Sequence, residues 1–396
     1  MESLELTVFG LALVCLTIWC VNWIMHIVSL IYGKCCLHKQ HADVIVEDLP
    51  GISILKPLVG IDPNLFENLE TFFNMKYPAY ELLFCIQDEF DASRMIVQSL
   101  MDKYPAVDAK MFLGGKNVGI NPKVNNMVIG YEAAKYDLIM ISDSGIKMRE
   151  DTLIDMAIHM TSKVGLVHQM PYICTRKGFA SNLEKMYFGT QHAKIYFLAD
   201  VLRINCATGM SVLMRKSVLE EAGGLREFGQ YLAEDFFMAQ AFLDRGWRVK
   251  CCSQLALQNS GTYSISHHTR RMCRWMKLRN AMVPTTLLFE PLSLCFVVGL
   301  LASWGASYIF DVSPLTFLLV HTLFWFLLDY TRLKQLENAS VPFPKFDFVV
   351  CWFMNEIGYM LLLVQSHLEP TINWRGRKFR LKWGGVVEEI YTKQLV

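Results

Sequence analysis

The chain has 396 residues, of which 53% are hydrophobic and only 19% charged, and its formal net charge is +1. Globular chains average about 25% charged residues, so this composition asks for membrane segments. The near-neutral balance excludes the basic field of a nucleic-acid binder.

Residues 6–32 form an uncharged run of 27 residues, longer than the roughly 20 that a spanning helix needs. Its leading flank is acidic (Glu2, Glu5), where a cleaved signal peptide would be basic. Lys34 and Lys39 follow, so the positive-inside bias predicts an anchor with its N-terminus outside and the next stretch in the cytosol. The 12 cysteines include two adjacent pairs, Cys35-Cys36 and Cys251-Cys252, and no CxxC spacing. They offer neither a zinc motif nor a disulfide framework and suit a reducing compartment.

Residues 46–285 read as one α/β domain. Buried strands are expected at 51–58, 81–86, 137–142 and 165–170, with helices at 63–76, 91–103, 122–135 and 150–162. That alternation implies parallel βαβ units in one doubly wound sheet. Three hydrophobic segments follow, 287–308, 312–330 and 348–366, and then a basic tail, 367–396. In the tail, TINWRGRKFRLKWGG carries Arg375, Arg377, Lys378, Arg380 and Lys382 and no acid. Three crossings would put it outside, against the charge bias. Two crossings plus one interfacial or re-entrant segment keep it in the cytosol, and that arrangement is expected. The sequon Asn338-Ala339-Ser340 falls in a loop expected inside, where it stays unmodified.

In parallel sheets ligands sit beyond the carboxyl ends of the strands. Asp88, Glu89 and Asp91 follow strand 81–86, Asp143-Ser144-Gly145 follows strand 137–142, and Glu234-Asp235 opens a helical stretch. Each has an ordinary reading: Asp91 as a helix cap, Glu234-Asp235 as complements of a helix dipole. Together they suit nucleotide-sugar transfer. One carboxylate reads the base or ribose, one helps hold a divalent cation on the pyrophosphate, and one deprotonates an acceptor hydroxyl. The stretch GGKNVGINPKVNN (114–126) has neither P-loop nor GxGxxG spacing. Lys123, at a helix start, either meets a phosphate or is a solvated loop lysine.

SHHTRRMCRWMKLRNAM (266–282) carries Arg270, Arg271, Arg274, Lys277 and Arg279 and no acid. As a helix it sets Arg271, Trp275 and Leu278 on one face. A juxtamembrane helix on anionic headgroups would account for the cations. It would not require the spacing R-x-x-R-W.

The order Asp91, Asp143, Asp235, then Arg271-x-x-Arg274-Trp275, resembles the D, D, D, (Q/R)xxRW signature of membrane glycosyltransferases with a GT-A domain, which cellulose, chitin and hyaluronan synthases share. LKPLVGIDPNLFENLETFF, GGKNVGINPKVNNM, DLIMISDSGI, TGMSVLMRKSVL, AEDFFMA and PTINWRGRKFRLKWGG are similar to the ceramide glucosyltransferase family, over about residues 48–384. The resemblance implies a GT-A, Rossmann-like α/β domain with one N-terminal and two to three C-terminal membrane segments. It implies inverting transfer of glucose from UDP-glucose to the primary hydroxyl of ceramide, at the cytosolic face of the Golgi membrane. By position, Asp235 is the general base, and Asp88, Asp91, Lys123, Asp143, Arg271, Arg274 and Trp275 bind the donor. Asp143 would be the protein's ligand to Mg2+ or Mn2+. Asp143-Ser144-Gly145 departs from the common Asp-x-Asp and leaves one carboxylate fewer for that cation. His192 and Cys206 lie in segments that could reach the acceptor pocket, and a structural role for each stands beside that reading.

Three rivals predict other features. A processive polysaccharide synthase needs more helices for its channel. A sterol or dolichyl-phosphate glycosyltransferase is closer in size. A non-catalytic lipid-binding scaffold would have lost its acidic stations, and all three are present.

Overall fold

The computed structural model describes residues 2–39, 45–261, 264–368, 371–374 and 377–390. Arg375 of the basic tail lies outside them. α1 (Glu2–Cys36) is a single apolar helix about 50 Å long at 1.5 Å per residue. The α/β domain then runs β1 (Ile52–Leu58), α2 (Leu65–Phe73), β2 (Tyr80–Ile86), α3 (Ser93–Lys103), β3 (Ala109–Leu113), α4 (Pro122–Ala133), β4 (Leu138–Ser142), β5 (Ile146–Lys147), α5 (Thr152–His159) and β6 (Val164–Ile173). It continues through α6 (Phe179–Tyr187), a π-helical turn at Phe188–His192, α7 (Ala193–Leu202), β7 (Ser211–Arg215), α8 (Lys216–Glu221), α9 (Gly224–Glu227), α10 (Glu234–Asp244), β8 (Arg248–Gln258), α11 (Ile265–Met282) and α12 (Thr286–Phe289).

β1, β2 and β4 are almost wholly buried, as parallel strands covered on both faces must be. Side chains alternate between two cores. Leu82, Phe84 and Ile86 pack with Phe72, Val97 and Met140, whereas Leu83 and Cys85 pack with Val124, Val128 and Ile141. The eight strands run in the order β3-β2-β1-β4-β7-β6-β8-β5.

The sheet is mixed and corrects the doubly wound parallel expectation. β7 runs antiparallel between β4 and β6, and β5 is antiparallel to β8. β3, β5, β7 and β8 were not anticipated. β3 is a half-buried edge without clean alternation, and the direction of β7 comes from partners distant in the chain, which local pattern does not encode.

The C-terminal part comprises α13 (Cys295–Phe310), α14 (Pro314–Glu337) and α15 (Lys345–Leu368). The apolar segment expected at 287–308 is interrupted: Pro291 opens a separate 3-10 turn, and the regular helix begins at Cys295. α13 lies so close to α1 that a Cβ on Gly305 would stand 2.9 Å from the Ala12 carbonyl oxygen. α14 runs beside both, with Trp19 Nε1 3.1 Å from His321 Nδ1. Among the described residues, α1, α14 and α15 are long and apolar enough to cross a membrane, and α13 is shorter.

α15 is seated on the α/β domain at both ends, through Asn182–Asp347 at 3.1 Å and Asn280–Ser366 at 3.2 Å. Phe353, Ile357, Leu361, Val364 and Leu368 on α15 are exposed. The tail then forms an antiparallel sheet of β9 (Thr371–Trp374), β10 (Arg377–Leu381) and β11 (Val387–Ile390). Phe379, Leu381 and Val387 pack on Leu232, and Val386 bridges to Tyr231. The basic tail thus folds back onto the α/β domain.

Candidate active site

A cavity of about 1030 Å³ opens beyond the carboxyl ends of β1 and β4. α4 supplies one wall through Lys123 and Asn126, set in place by Asn121 behind them. The Asn121 side chain caps α4, accepting from the amides of Lys123 and Val124, and Pro122 takes the first helical position. This cap aims Lys123 inward. The Lys123 ammonium stands 2.8 Å from Asp143 Oδ1 and 3.0 Å from Glu234 Oε1, and donates to Gly209 O at 3.0 Å. Burial pulls the Lys123 ammonium down, but Asp143 and Glu234 outweigh it and the net displacement is upward. Lys123 is therefore a charged lysine at neutral pH, not a solvated loop residue.

Asp143 follows β4, where the turn closes by Ile146 N donating to Asp143 O at 3.2 Å. Lys56, fully buried, donates to the same carbonyl at 2.7 Å. Asp235 opens α10. Its carboxylate accepts from Gly209 N at 2.5 Å and from Phe236 N at 2.9 Å. Burial, then the neighbouring Glu234 charge, pushes the Asp235 carboxyl up to about 6, against the pull of Lys123 and the two amides. Gly209 makes this approach feasible, because a Cβ there would stand 2.9 Å from Lys123 Nζ and 3.3 Å from Asp235.

α11 supplies the opposite wall, capped by Ser264, whose Oγ accepts from His267 N. Arg271, Arg274, Trp275, Leu278 and Arg279 all face the cavity. Arg271 is held by Glu184 Oε1 at 2.9 Å and Gln258 Oε1 at 2.6 Å, and its guanidinium lies 4.6 Å from the centroid of the Trp275 ring. Arg279 pairs with Glu290. The His192 ring is stacked near Trp275, centroids 6.1 Å apart. His192 is buried with no hydrogen-bond partner on either ring nitrogen. Burial, with Arg279 and Arg271, lowers its proton affinity. Burial pushes the Cys206 thiol up to about 12, so it is no nucleophile at neutral pH.

The structure thus gathers Lys123, Asp143, Asp235, Arg271, Arg274, Trp275, His192 and Cys206 around one cavity. Asp88 and Asp91 stand apart from its wall. Asp88 Oδ1 accepts from Phe90 N. Asp91 opens α3 by accepting from Ser93 N at 2.8 Å and also takes the Gly60 amide at 2.7 Å. It thereby tethers the loop after β1, which does reach the cavity through Val59 and Asp62. Asp62, Glu234 and Arg279 line the cavity too and were not singled out as site residues. Adjacency to Asp235 was the available signal for Glu234.

Among the described residues no three His, Cys, Asp or Glu side chains converge as a metal cage. Asp143 keeps 40% of its side chain exposed. A hard cation there would take one carboxylate oxygen from the protein and its other ligands from phosphate and water, a set that Mg2+ accepts.

The model of glycosyl transferase family 21 matches residues 21–387. Ceramide glucosyltransferase 3 of Caenorhabditis elegans is 44% identical over 369 residues, spanning 92% of this chain and 80% of the relative. Ceramide glucosyltransferase of Komagataella phaffii is 28% identical, spanning 86% and 84%. Among solved structures, a mannosyltransferase from Pyrobaculum calidifontis in complex with GDP-Man and Mn2+ is 14% identical with a TM-score of 0.48, over 87% of this chain and 98% of that one.

Proposed function

The chain belongs to glycosyltransferase family 21, and from that premise we propose that it transfers glucose from UDP-glucose to the primary hydroxyl of ceramide, with inversion. The observation that carries this reading is the half-buried Asp235 carboxylate, raised to about 6, in a cavity that also holds Lys123 and Arg274 and reaches α1. A carboxylate of ordinary pKa, about 4, is a poor base for an alcohol. One raised toward the working pH is better matched.

Asp235 accepts the proton of the acceptor hydroxyl as its oxygen attacks the anomeric carbon from the face opposite the diphosphate. The carbon–oxygen bond to the β-phosphate breaks, and its electron pair leaves with UDP. Lys123, Arg271 and Arg274 stabilise that developing charge. Asp143 would hold a Mg2+ or Mn2+ ion, which when bound supplies further neutralisation of the diphosphate. Asp91 acts through the Gly60 loop, with Asp88 beside it, at the nucleoside end. Trp275 shapes the acceptor entrance together with Cys206, and His192 offers its unpartnered ring nitrogens to the polar head of the acceptor. The α/β domain faces the cytosol at the Golgi membrane, with α1, α13 and α14 crossing and α15 lying at the interface.

The test is purified protein with UDP-glucose, ceramide and Mg2+ or Mn2+, beside Asp235→Asn. Glucosylceramide from the wild type alone is expected, with donor binding retained in the variant. Near-normal turnover by Asp235→Asn would remove the base assignment.

A further inference from the structure

The cavity does not end at the catalytic carboxylates. From Asp143 and Asp235 its wall continues to Met25 of α1, to Leu198 and Leu202 of α7, and to Phe289 of α12. α1 and α7 are locked side by side here, Tyr32 Oη donating to Asp200 Oδ2 at 2.7 Å and the Tyr32 and Phe197 rings stacking at 5.2 Å. The rim of this arm is apolar and exposed: Leu202 is 58% exposed, Ile204 59% and Phe289 63%. Side chains of that kind clustered at the mouth of a cavity mark a site for an apolar partner. On α1, Val21, Ile24, Ile27 and Ile31 are exposed in turn, so the rim adjoins a helix long and apolar enough to span a membrane.

We infer that the arm between α1, the end of α7 and α12 is a lateral portal that seats the hydrocarbon chains of a membrane lipid while its hydroxyl reaches Asp235. The inference rests on the glycosyl-transfer reading for what happens at the polar end. The portal stands on its own geometry. The occupant is a lipid chain rather than a peptide or a soluble sugar. Met25, Ile195, Leu198, Leu202, Ile204 and Phe289 give the arm an apolar face, with Lys194 and Glu290 deeper in the same lining, and its mouth lies against the helix that a bilayer would surround. Polar groups placed at its rim would oppose entry of a chain without touching the carboxylates, which belong to other elements.

Two variants test it, Leu202→Asp and Phe289→Asp, both at exposed positions that the core does not need. In proteoliposomes, kcat/KM for ceramide with long chains should fall at least tenfold in each, while that for a ceramide short in both its sphingoid and N-acyl chains and the KM for UDP-glucose change less than threefold. Equal losses for both acceptors, or no loss for either, would overturn the portal. A second measurement does not depend on turnover. A ceramide bearing a chain-terminal diazirine, in phosphatidylcholine vesicles, should label peptides containing Met25 or Leu198. Excess unlabelled ceramide should suppress that label, and so should both variants. Label confined to the outer face of α1 and insensitive to competition would also overturn the portal. Competed labelling without any glucosyl transfer would instead retain the portal and defeat the assigned reaction.

Discussion

The Lys123 ammonium stands 2.8 Å from the Asp143 carboxylate, and the same nitrogen reaches Glu234 at 3.0 Å. One cation thus joins the end of a strand to the start of a helix far along the chain, beside the carboxylate assigned as base. The site is a charge cluster with a fixed lysine at its centre, and that centre can be tested.

Lys123→Met keeps an unbranched side chain, one atom shorter, but leaves Asp143 and Glu234 without their shared cation. Loss of a preorganised charge facing the diphosphate lowers kcat/KM by about 100-fold or more. Titration with UDP should show weakened donor binding. A variant within threefold of wild type would return Lys123 to a purely structural role.

Asp235 works as a base only when ionised, and its carboxyl is pushed up to about 6. With both substrates saturating, kcat should fall as pH drops through about 6. Glu234→Gln keeps one acceptor oxygen, for either Lys123 or Asn121, which reach different carboxylate oxygens, and removes the charge that helps to raise Asp235. The acid limb should then move to lower pH. An acid limb unmoved in Glu234→Gln would place the titration on another group.

Trp275 receives Arg271 on its face and His192 beside it. Trp275→Ala should lower turnover about tenfold or more through lost positioning. The protein should still pellet with membranes, because the apolar helices are untouched. Release from the membrane with normal turnover in detergent would make Trp275 an anchor instead.

Arg332 is fully buried in α14 and pairs with Asp329 at 2.7 Å; Trp352 Nε1 donates to the other carboxylate oxygen at 2.9 Å. Arg332→Met strands a buried carboxylate, a change that costs about 3 kcal/mol or more. The unfolding midpoint in detergent should drop clearly. The double variant with Asp329→Asn should recover part of the loss. Equal midpoints for wild type and Arg332→Met would show that the pair contributes no net stability.

Much of the architecture was legible in the residues, because it is set locally. The uncharged run at 6–32 can only be a long apolar helix. The continuous apolar strands at β1, β2 and β4 announce burial on both faces. Pro122 announces a helix start at Lys123, but whether that lysine meets the site or solvent stays open in the sequence. Asp143 and Asp235 could be placed at a strand end and a helix start by the same local logic, and the R-x-x-R-W spacing put Arg271, Trp275 and Leu278 on one helix face.

Packing decided what local pattern could not. The antiparallel direction of β7 follows from pairing with β4 and β6. Glu234 enters the site only because Lys123 reaches across to it, and Arg271 is anchored to Glu184 because α6 happens to lie behind α11. Asp91, a strong candidate by order alone, turns out to hold the Gly60 loop instead of facing the cavity. The basic tail returns to the α/β domain because α15 rests on α6 and α11 at its two ends, although its length and apolarity also suit a crossing. Periodicity and capping report what each segment wants from its own neighbours. Partners contributed by distant segments depend on how those segments pack, and that is known only once the chain is folded.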